Sequence, residues 1–281
     1  MRHEDLMSFN RIDETENPGE FIAFLDIASR NKDIMAMKHK TYELLDAKPG
    51  RRILEVGCGT GDDARQIAEM IGPTGSFVAI DKSEAIISEA RRRSRGRDDS
   101  IKFAVGDATN LDLESATFDA CRIERTLIHI PEPTAALNEI VRVLAVNGKL
   151  VAYEPDLETY VIDSSYRELT SRLLKYWYSQ LQSGWVARHL STLFKESGLA
   201  NISIEPRAMI YDFDMVSLSL YGTMDRAAEA GVASVDEISD WFMDLERAHN
   251  NGTFFCANMG YIVSGSKLQT ALNPSRRSVC S

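Results

Sequence analysis

The sequence predicts a doubly wound α/β fold, on three observations. Between residues 51 and 154, short runs rich in β-branched or other apolar residues alternate with longer stretches of helical spacing. Such alternation marks a parallel sheet with helices on both faces. A glycine-rich turn separates the first of these strands from the first of these helices. The 281 residues, 44% hydrophobic and 26% charged, suffice for one large core or two small ones, and nothing in them looks fibrous or low in complexity.

The strands are read at 52–56, 76–80, 101–105, 118–123 and 149–154, with helices near 62–71, 83–95 and 133–144. Ser83 is placed as an N-cap, where a side-chain oxygen accepts a free backbone N–H. Pro133 is placed in a first turn, where its missing N–H costs nothing. Residues 18–46 read as mostly helical, with apolar positions Phe21, Phe24, Leu25 and Ile27, then Ile34, Met35, Met37, Tyr42, Leu44 and Leu45. After residue 154, Tyr166, Leu169, Leu173, Leu174, Trp177 and Leu181 recur at helical spacing, and a further helix near 186–197 is stopped by Gly198. Strands at 201–205 and 254–264 are separated by helical segments around 215–230 and 235–250. These elements suggest an N-terminal helical cap over 1–47, a main domain over 48–268 with insertions at about 155–186 and 212–252, and a polar tail over 269–281 expected to be disordered.

Composition narrows the partners. The start, Met1-Arg2-His3-Glu4-Asp5-Leu6-Met7, has no apolar stretch behind its charges. No uncharged apolar run approaches the roughly 20 residues that span a bilayer, so a cytoplasmic chain with no membrane partner is expected. Cys58, Cys121, Cys256 and Cys280 are scattered, without the pairing of a zinc site or the density of a disulfide scaffold, and are expected as reduced thiols. A formal charge of -10 repels polyanions, so no nucleic-acid partner is expected. The basic run Arg91, Arg92, Arg93, Arg95 and Arg97 falls at a helix end, where cations complement the dipole. Histidines and carboxylates form no spaced ligand set resembling a zinc or catecholate-magnesium site, so no metal is expected.

Glu55-Val56-Gly57-Cys58-Gly59-Thr60-Gly61-Asp62-Asp63 carries the chemistry. Glycines at a strand-to-helix turn let a ligand approach the backbone and permit positive φ, and a side chain at Gly57 is expected to enter the ligand's space. A dinucleotide fingerprint needs glycines at the first, third and sixth positions, to rest a pyrophosphate on the helix N-terminus. Here those positions are Gly57, Gly59 and Asp62, and the carboxylates of Asp62 and Asp63 would repel a phosphate. The turn therefore favours a nucleoside with a cationic group.

Leu54-Glu55-Val56-Gly57-Cys58-Gly59-Thr60-Gly61 resembles the first motif of the class I S-adenosylmethionine methyltransferases. Asp81 ends the second strand, where that family holds the ribose hydroxyls with a carboxylate, a group able to accept from two neighbouring hydroxyls. Gly106-Asp107-Ala108 follows the third strand, and in similar enzymes the aspartate accepts from the adenine amino group. Phe118-Asp119-Ala120 and Arg122-Ile123-Glu124-Arg125-Thr126-Leu127-Ile128-His129 resemble the fourth-strand motif of the branch that includes the quinone-biosynthesis methyltransferases. The segment from Arg142 to Leu150 resembles that branch's Arg-Val-Leu-x-Pro-Gly-Gly, with Val146 and Asn147 as departures; Asn tolerates a left-handed conformation, so the turn can survive. Agreement is close over about 48–154 and fainter over 185–206.

The resemblance implies a seven-stranded, mostly parallel, Rossmann-like sheet with helical cap insertions, S-adenosylmethionine as cofactor, and a small-molecule methyl acceptor. It places Glu55, Gly57, Cys58, Gly59, Thr60, Asp62, Asp81, Lys82, Gly106, Asp107, Ala108, Glu124 and Arg125 around the cofactor, the last two at its methionine end. Methyl transfer needs the reactants held in line and water excluded; a general base is needed only if the acceptor must lose a proton. His129 is the candidate base, with orientation of the helix after Pro131 as its other reading; His189 ranks below it.

Acceptor-binding parts are expected in 1–46, 155–186 and 212–252, which can close over the carboxyl ends of the strands. Their rings, Phe21, Phe24, Tyr160, Tyr166, Tyr176, Trp177, Tyr178, Trp185, Tyr211, Phe213, Tyr221, Trp241 and Phe242, are mostly core but numerous enough to suggest an apolar, partly aromatic acceptor. Two alternatives stay open: a methyltransferase-like protein with non-methylating chemistry or a non-catalytic role, and, against Asp62, a nicotinamide-dependent oxidoreductase. The acceptor atom and the oligomeric state are not legible.

Overall fold

A computed structural model describes residues 4–96 and 100–269. Arg97, Cys280 and all of the expected tail except Gln269 lie outside the described residues. A 3-10 segment, Leu6–Glu14, precedes α1 (Pro18–Ala28) and α2 (Lys32–Leu44). Then come β1 (Arg52–Val56), α3 (Asp62–Ile71), β2 (Ser76–Asp81), α4 (Glu84–Ser94), β3 (Ile101–Val105), β4 (Phe118–Glu124), α5 (Pro133–Val143) and β5 (Leu144–Ile162). The remainder is α6 (Arg167–Ser179), α7 (Val186–Glu196), β6 (Leu199–Ile210), α8 (Phe213–Glu229), α9 (Val235–Asn250) and β7 (Cys256–Lys267).

The seven strands form one sheet in the order β3-β2-β1-β4-β5-β7-β6. The first five run parallel, and β7 lies antiparallel between β5 and β6. Alternate strand residues feed two cores: Ile53, Ala79, Ala120 and Val151 pack into one, Leu54, Ile80, Cys121 and Leu150 into the other. That is the burial on both faces that continuous apolar strands require. The strand order reverses between β1 and β4, so the loops leaving these strands diverge and open a crevice at their carboxyl ends.

The local signals act as their chemistry dictates. Ser83 accepts from the Ile86 N–H, Pro133 opens α5, and Gly198 takes φ +87° after α7. Asn147 takes φ +64° in place of glycine. Arg91, Arg92 and Arg93 occupy the last turn of α4, with Arg92 and Arg93 paired to Glu89 and Arg93 also to Asp26. Arg91, which donates to the Phe103 carbonyl, Arg92 and Arg93 are thus engaged within the fold.

Two segments differ from the sequence reading. Strand β5 does not stop at residue 154 but runs to Ile162, so the insertion expected from 155 begins as sheet paired with β7. Pro155 is tolerated because the β4 pairing has already ended at Glu124–Tyr153, leaving no neighbour there to receive an N–H. The N-terminal 3-10 segment is pinned to distant parts of the chain. Asp13 accepts from the Ser83 hydroxyl at 2.6 Å and from the Glu84 N–H at 2.8 Å; Asp5 accepts from the Thr223 hydroxyl at 2.6 Å. Among the described residues, no helix is long and apolar enough to cross a membrane.

Candidate active site

The turn after β1 sets the floor of the site. Gly57, Gly59 and Gly61 all take positive φ, the region that disfavours a Cβ. The Gly57 and Cys58 N–H groups donate to the Ile80 carbonyl at 2.8 and 3.0 Å, tying the turn to β2. The Gly59 N–H donates to Asp81 Oδ2 at 3.0 Å, and Asp81 Oδ1 accepts from the Ser83 N–H. Burial raises the Asp81 carboxyl above its ordinary range, against these backbone donors. Asp107, at the end of β3, accepts from the Thr109 hydroxyl and N–H, both on Oδ1, and is held below the ordinary carboxylate range by them.

Above this floor lies a cavity of about 660 Å³, within the roughly 300–1,000 Å³ typical of ligand sites. Gly57, Cys58, Gly59, Thr60, Asp62, Asp81, Lys82, Gly106, Asp107, Ala108, Glu124, Arg125 and His129 all line it. Glu55 does not. Its side chain turns to the buried face of the sheet, where Oε1 accepts from Arg122.

That face holds a compact ion network, of which Lys38, Asp63, Arg122, Glu124 and Arg125 also line the cavity. Arg122 bonds Glu55 and Glu124, lies 3.2 Å from Asp63, and donates through Nε to Thr41 at 2.9 Å. Lys38 reaches Asp63 at 2.7 Å, Tyr42 donates to Asp63, and Arg125 donates to Glu124 at 2.9 Å. Burial alone would raise Asp63, but Lys38 and Arg122 outweigh it and hold the carboxyl well below its usual range. Glu55 is pushed up to about 8, chiefly by burial.

Two expectations need correction. The charges of Asp62 and Asp63 are spent inside the protein: Asp62 pairs with Arg65 and accepts from Thr60, while Asp63 is neutralised as described. Their repulsion of a phosphate is therefore weaker than the bare sequence suggests. The side chain excluded at Gly57 would first strike protein, since its Cβ would lie 2.7 Å from Thr126 Cγ2.

His129 sits in a short 3-10 turn, Leu127–His129, after β4. Its ring hydrogen-bonds the Met7 backbone and lies 5.3 Å from the Phe9 ring, while Nδ1 is buried without a partner among the described residues. Burial lowers its pKa to about 4, leaving a neutral imidazole with a bare lone pair. His189 lies elsewhere, in a surface groove beside Trp185.

The sequence reading missed Glu154. Buried at the end of the parallel part of β5, it accepts from the Thr126 and Leu127 N–H groups at 2.9 and 2.8 Å and so fixes the turn that carries His129. Burial raises it to about 8. Between the ordinary 4.5 and about 8 the unfolded chain then holds fewer protons than the folded one, so Glu154 makes stability fall as pH rises through that window. Glu154→Gln, whose amide oxygen can still accept both bonds, should flatten this fall; urea unfolding at several pH values measures it.

The matching family model describes a methyltransferase domain and covers residues 47–198, more than half of the chain. This chain belongs to that methyltransferase family. A 37.1 kDa protein of transposon Tn4556 from Streptomyces fradiae is 29% identical over 257 residues, 90% of this chain and 73% of its own length. The demethylmenaquinone methyltransferase of Bacillus cytotoxicus is 25% identical over 61% of this chain and 79% of its own. Among solved structures, YcgJ of Bacillus subtilis aligns over 84% of this chain and 100% of its own, with TM-score 0.60 and 16% identity. The Haemonchus contortus phosphoethanolamine N-methyltransferase 2, solved with S-adenosylmethionine, aligns over 88% and 60%, with TM-score 0.53 and 18% identity. Membership of the family makes the chain an S-adenosylmethionine-dependent methyltransferase, and the turn, the carboxylates at the ends of β2 and β3 and the adjoining cavity fit that cofactor's size and polarity.

Proposed function

We propose that this methyltransferase alkylates a small, largely apolar and partly aromatic molecule. The supporting observation is the continuity of one cavity from Asp107 and Asp81 on the β2–β3 side to Leu157, Tyr160, Trp177, Tyr211 and Met215 on the β5 side. Of the thirteen rings in the flanking segments, Phe24, Tyr160, Trp177 and Tyr211 line it, and Phe9 adds a fifth from the 3-10 segment.

Within this reading, Asp81 holds the ribose hydroxyls and Asp107 Oδ2 receives the adenine amino group. Gly57, Cys58, Gly59, Thr60 and Asp62 face the nucleoside and methionine chain, flanked by Lys82, Gly106 and Ala108. Glu124 and Arg125 border the methionine end, and Glu55 acts from beneath by fixing Arg122. When bound, S-adenosylmethionine supplies a methyl group on a sulfonium, an excellent leaving group. The protein's work is to align the acceptor and keep water out, worth roughly 7–11 kcal/mol in favourable cases. The 3-10 segment, pinned at Asp5 and Asp13, roofs the cavity with Leu6, Met7 and Phe9 and serves the second purpose.

His129 is the proton acceptor in this scheme. The burial that keeps it neutral also makes it a weak base, so it suits an acceptor whose proton becomes acidic as the methyl bond forms.

Titration calorimetry on wild type and Asp81→Ala, followed by incubation with methyl-labelled cofactor and a cell extract, tests the proposal. Asp81→Ala should weaken cofactor binding by about 1.5–3 kcal/mol; unchanged affinity removes Asp81 from the site. Label should enter an organic-extractable product, and label confined to macromolecules contradicts a small acceptor. His129→Phe should slow labelling by about 10²–10⁴-fold at unchanged cofactor affinity, whereas loss of cofactor affinity marks a structural role.

A further inference from the structure

Of the cations in the network beside the cavity, two are spent on the protein and one is not. Lys38 is buried on Asp63, and Arg122 divides its nitrogens among Thr41, Glu55, Asp63 and Glu124. Arg125 differs. Its side chain is engaged only through Nε, with Glu124 Oε1 at 2.9 Å. Nη1 and Nη2 have no acceptor among the described residues and keep accessible surface, in a side chain that is 22% exposed and lines the cavity. The residue also holds φ +49°, a left-handed conformation unfavourable to arginine, with its N–H fixed on the Tyr153 carbonyl at 2.8 Å. Strain of this kind persists where the surrounding fold overdetermines it, and it clusters at ligand sites.

The charge of Arg125 bears on the β5 half of the cavity. Burial raises the Tyr211 phenol, and Arg125 is the strongest influence holding that rise back; burial lowers His129, and Arg125 adds to the fall. Tyr211 continues into the wall formed by Leu157, Tyr160 and Met215, and its hydroxyl is already spent on Asn258. An apolar ligand against that wall therefore shares the cavity with an unpaired guanidinium edge. Charge balance points the same way. Glu55, pushed up to about 8 chiefly by burial, is mostly protonated at neutral pH, so Lys38, Arg122 and Arg125 face two charged carboxylates, Asp63 and Glu124. The cofactor's methionine end, an ammonium and a carboxylate together, leaves that surplus unchanged, and its sulfonium adds to it. Positive charge in a site closed to water needs a counter-ion, and the acceptor is the partner able to bring one.

We infer that the methyl acceptor carries a carboxylate on its apolar skeleton, and that Arg125 receives this carboxylate on the paired donors Nη1 and Nη2. This rests on the small-acceptor reading above. A guanidinium edge presents two parallel N–H groups at carboxylate spacing, so the contact fixes orientation as well as affinity. A neutral acceptor of the same shape leaves the fork unpaired, which is how a polar group in an otherwise apolar pocket rejects analogues. Arg125 thereby selects the acceptor.

The test uses the full chain saturated with S-adenosylhomocysteine, whose affinity is measured first by calorimetry for wild type, Arg125→Gln and Arg125→Lys. The acids 2-naphthoate and octanoate are then titrated beside their neutral amides, 2-naphthamide and octanamide. Wild type should bind the acid of each pair more tightly by at least about tenfold, the size of a hydrogen bond to a charged group. Arg125→Gln should bring both ratios near one, and Arg125→Lys, which keeps the charge without the fork, should give intermediate ratios. The inference is overturned if wild type does not prefer the acids, or if the preference survives in Arg125→Gln. It is equally overturned if both variants fold yet lose S-adenosylhomocysteine, because the fork then serves the cofactor's own carboxylate. If no member of either pair binds wild type, the small-acceptor reading falls with it; equal binding of acid and amide removes the carboxylate alone.

Discussion

Gly57→Ala should abolish measurable S-adenosylmethionine binding in calorimetry. Gly57 holds φ +75°, where an L side chain costs roughly 1–2 kcal/mol before any contact is considered. The added Cβ would also lie 2.7 Å from Thr126 Cγ2 and 2.9 Å from Thr126 Cβ. Thr126 cannot retreat, because its N–H donates to Glu154 at 2.9 Å and its hydroxyl to the Glu124 carbonyl at 2.8 Å. The loops leaving β1 and β4 must therefore part, opening the crevice where the cofactor's methionine end is proposed to sit. The same geometry makes the loss repairable: Gly57→Ala combined with Thr126→Gly removes the clashing atoms and should restore part of the affinity. Full loss of binding in the double variant would show that the ligand itself needs the missing Cβ space.

Arg122→Met should cost about 3–5 kcal/mol of unfolding free energy, the largest stability effect expected of a single substitution here. Arg122 is 1% exposed and faces three carboxylates, Glu55, Asp63 and Glu124. Removing the guanidinium leaves Asp63 to Lys38 and Glu124 to Arg125 and strips the buried Glu55 of its donor, and the volume of methionine replaces neither charge nor hydrogen bond. Adding Glu124→Gln to Arg122→Met should recover a good part of the loss, since breaking a buried pair is costly mainly through the partner left behind. Urea unfolding at neutral pH reads both values.

Much of this was legible from local pattern, because the relevant physics is local. The turn from Gly57 to Gly61, the caps at Ser83 and Pro133, and the bounds of β1, α3 and β3 follow from spacing, φ preference and chain direction. What the pattern hid is long-range. The segment Leu6–Glu14 owes its position to Asp5 and Asp13, whose partners lie 218 and 70 residues away, so Phe9 could not be read as a cavity wall. Pro155 reads as a breaker until the end of β4 is known. Arg122 in a central strand signals a buried partner, yet only the fold reveals that Glu55, assigned by resemblance to the cofactor, is that partner. Glu154 is one more carboxylate at a strand end until its two backbone donors are seen.

The most direct measurement is a crystal structure of the full chain with S-adenosylhomocysteine. The nucleoside should lie along the Gly57–Gly61 turn, its ribose on Asp81 and its adenine beside Asp107, with the sulfur facing Tyr160 and Trp177 across the cavity. A ligand bound elsewhere, or a turn whose approach is closed by protein, would contradict the assignment.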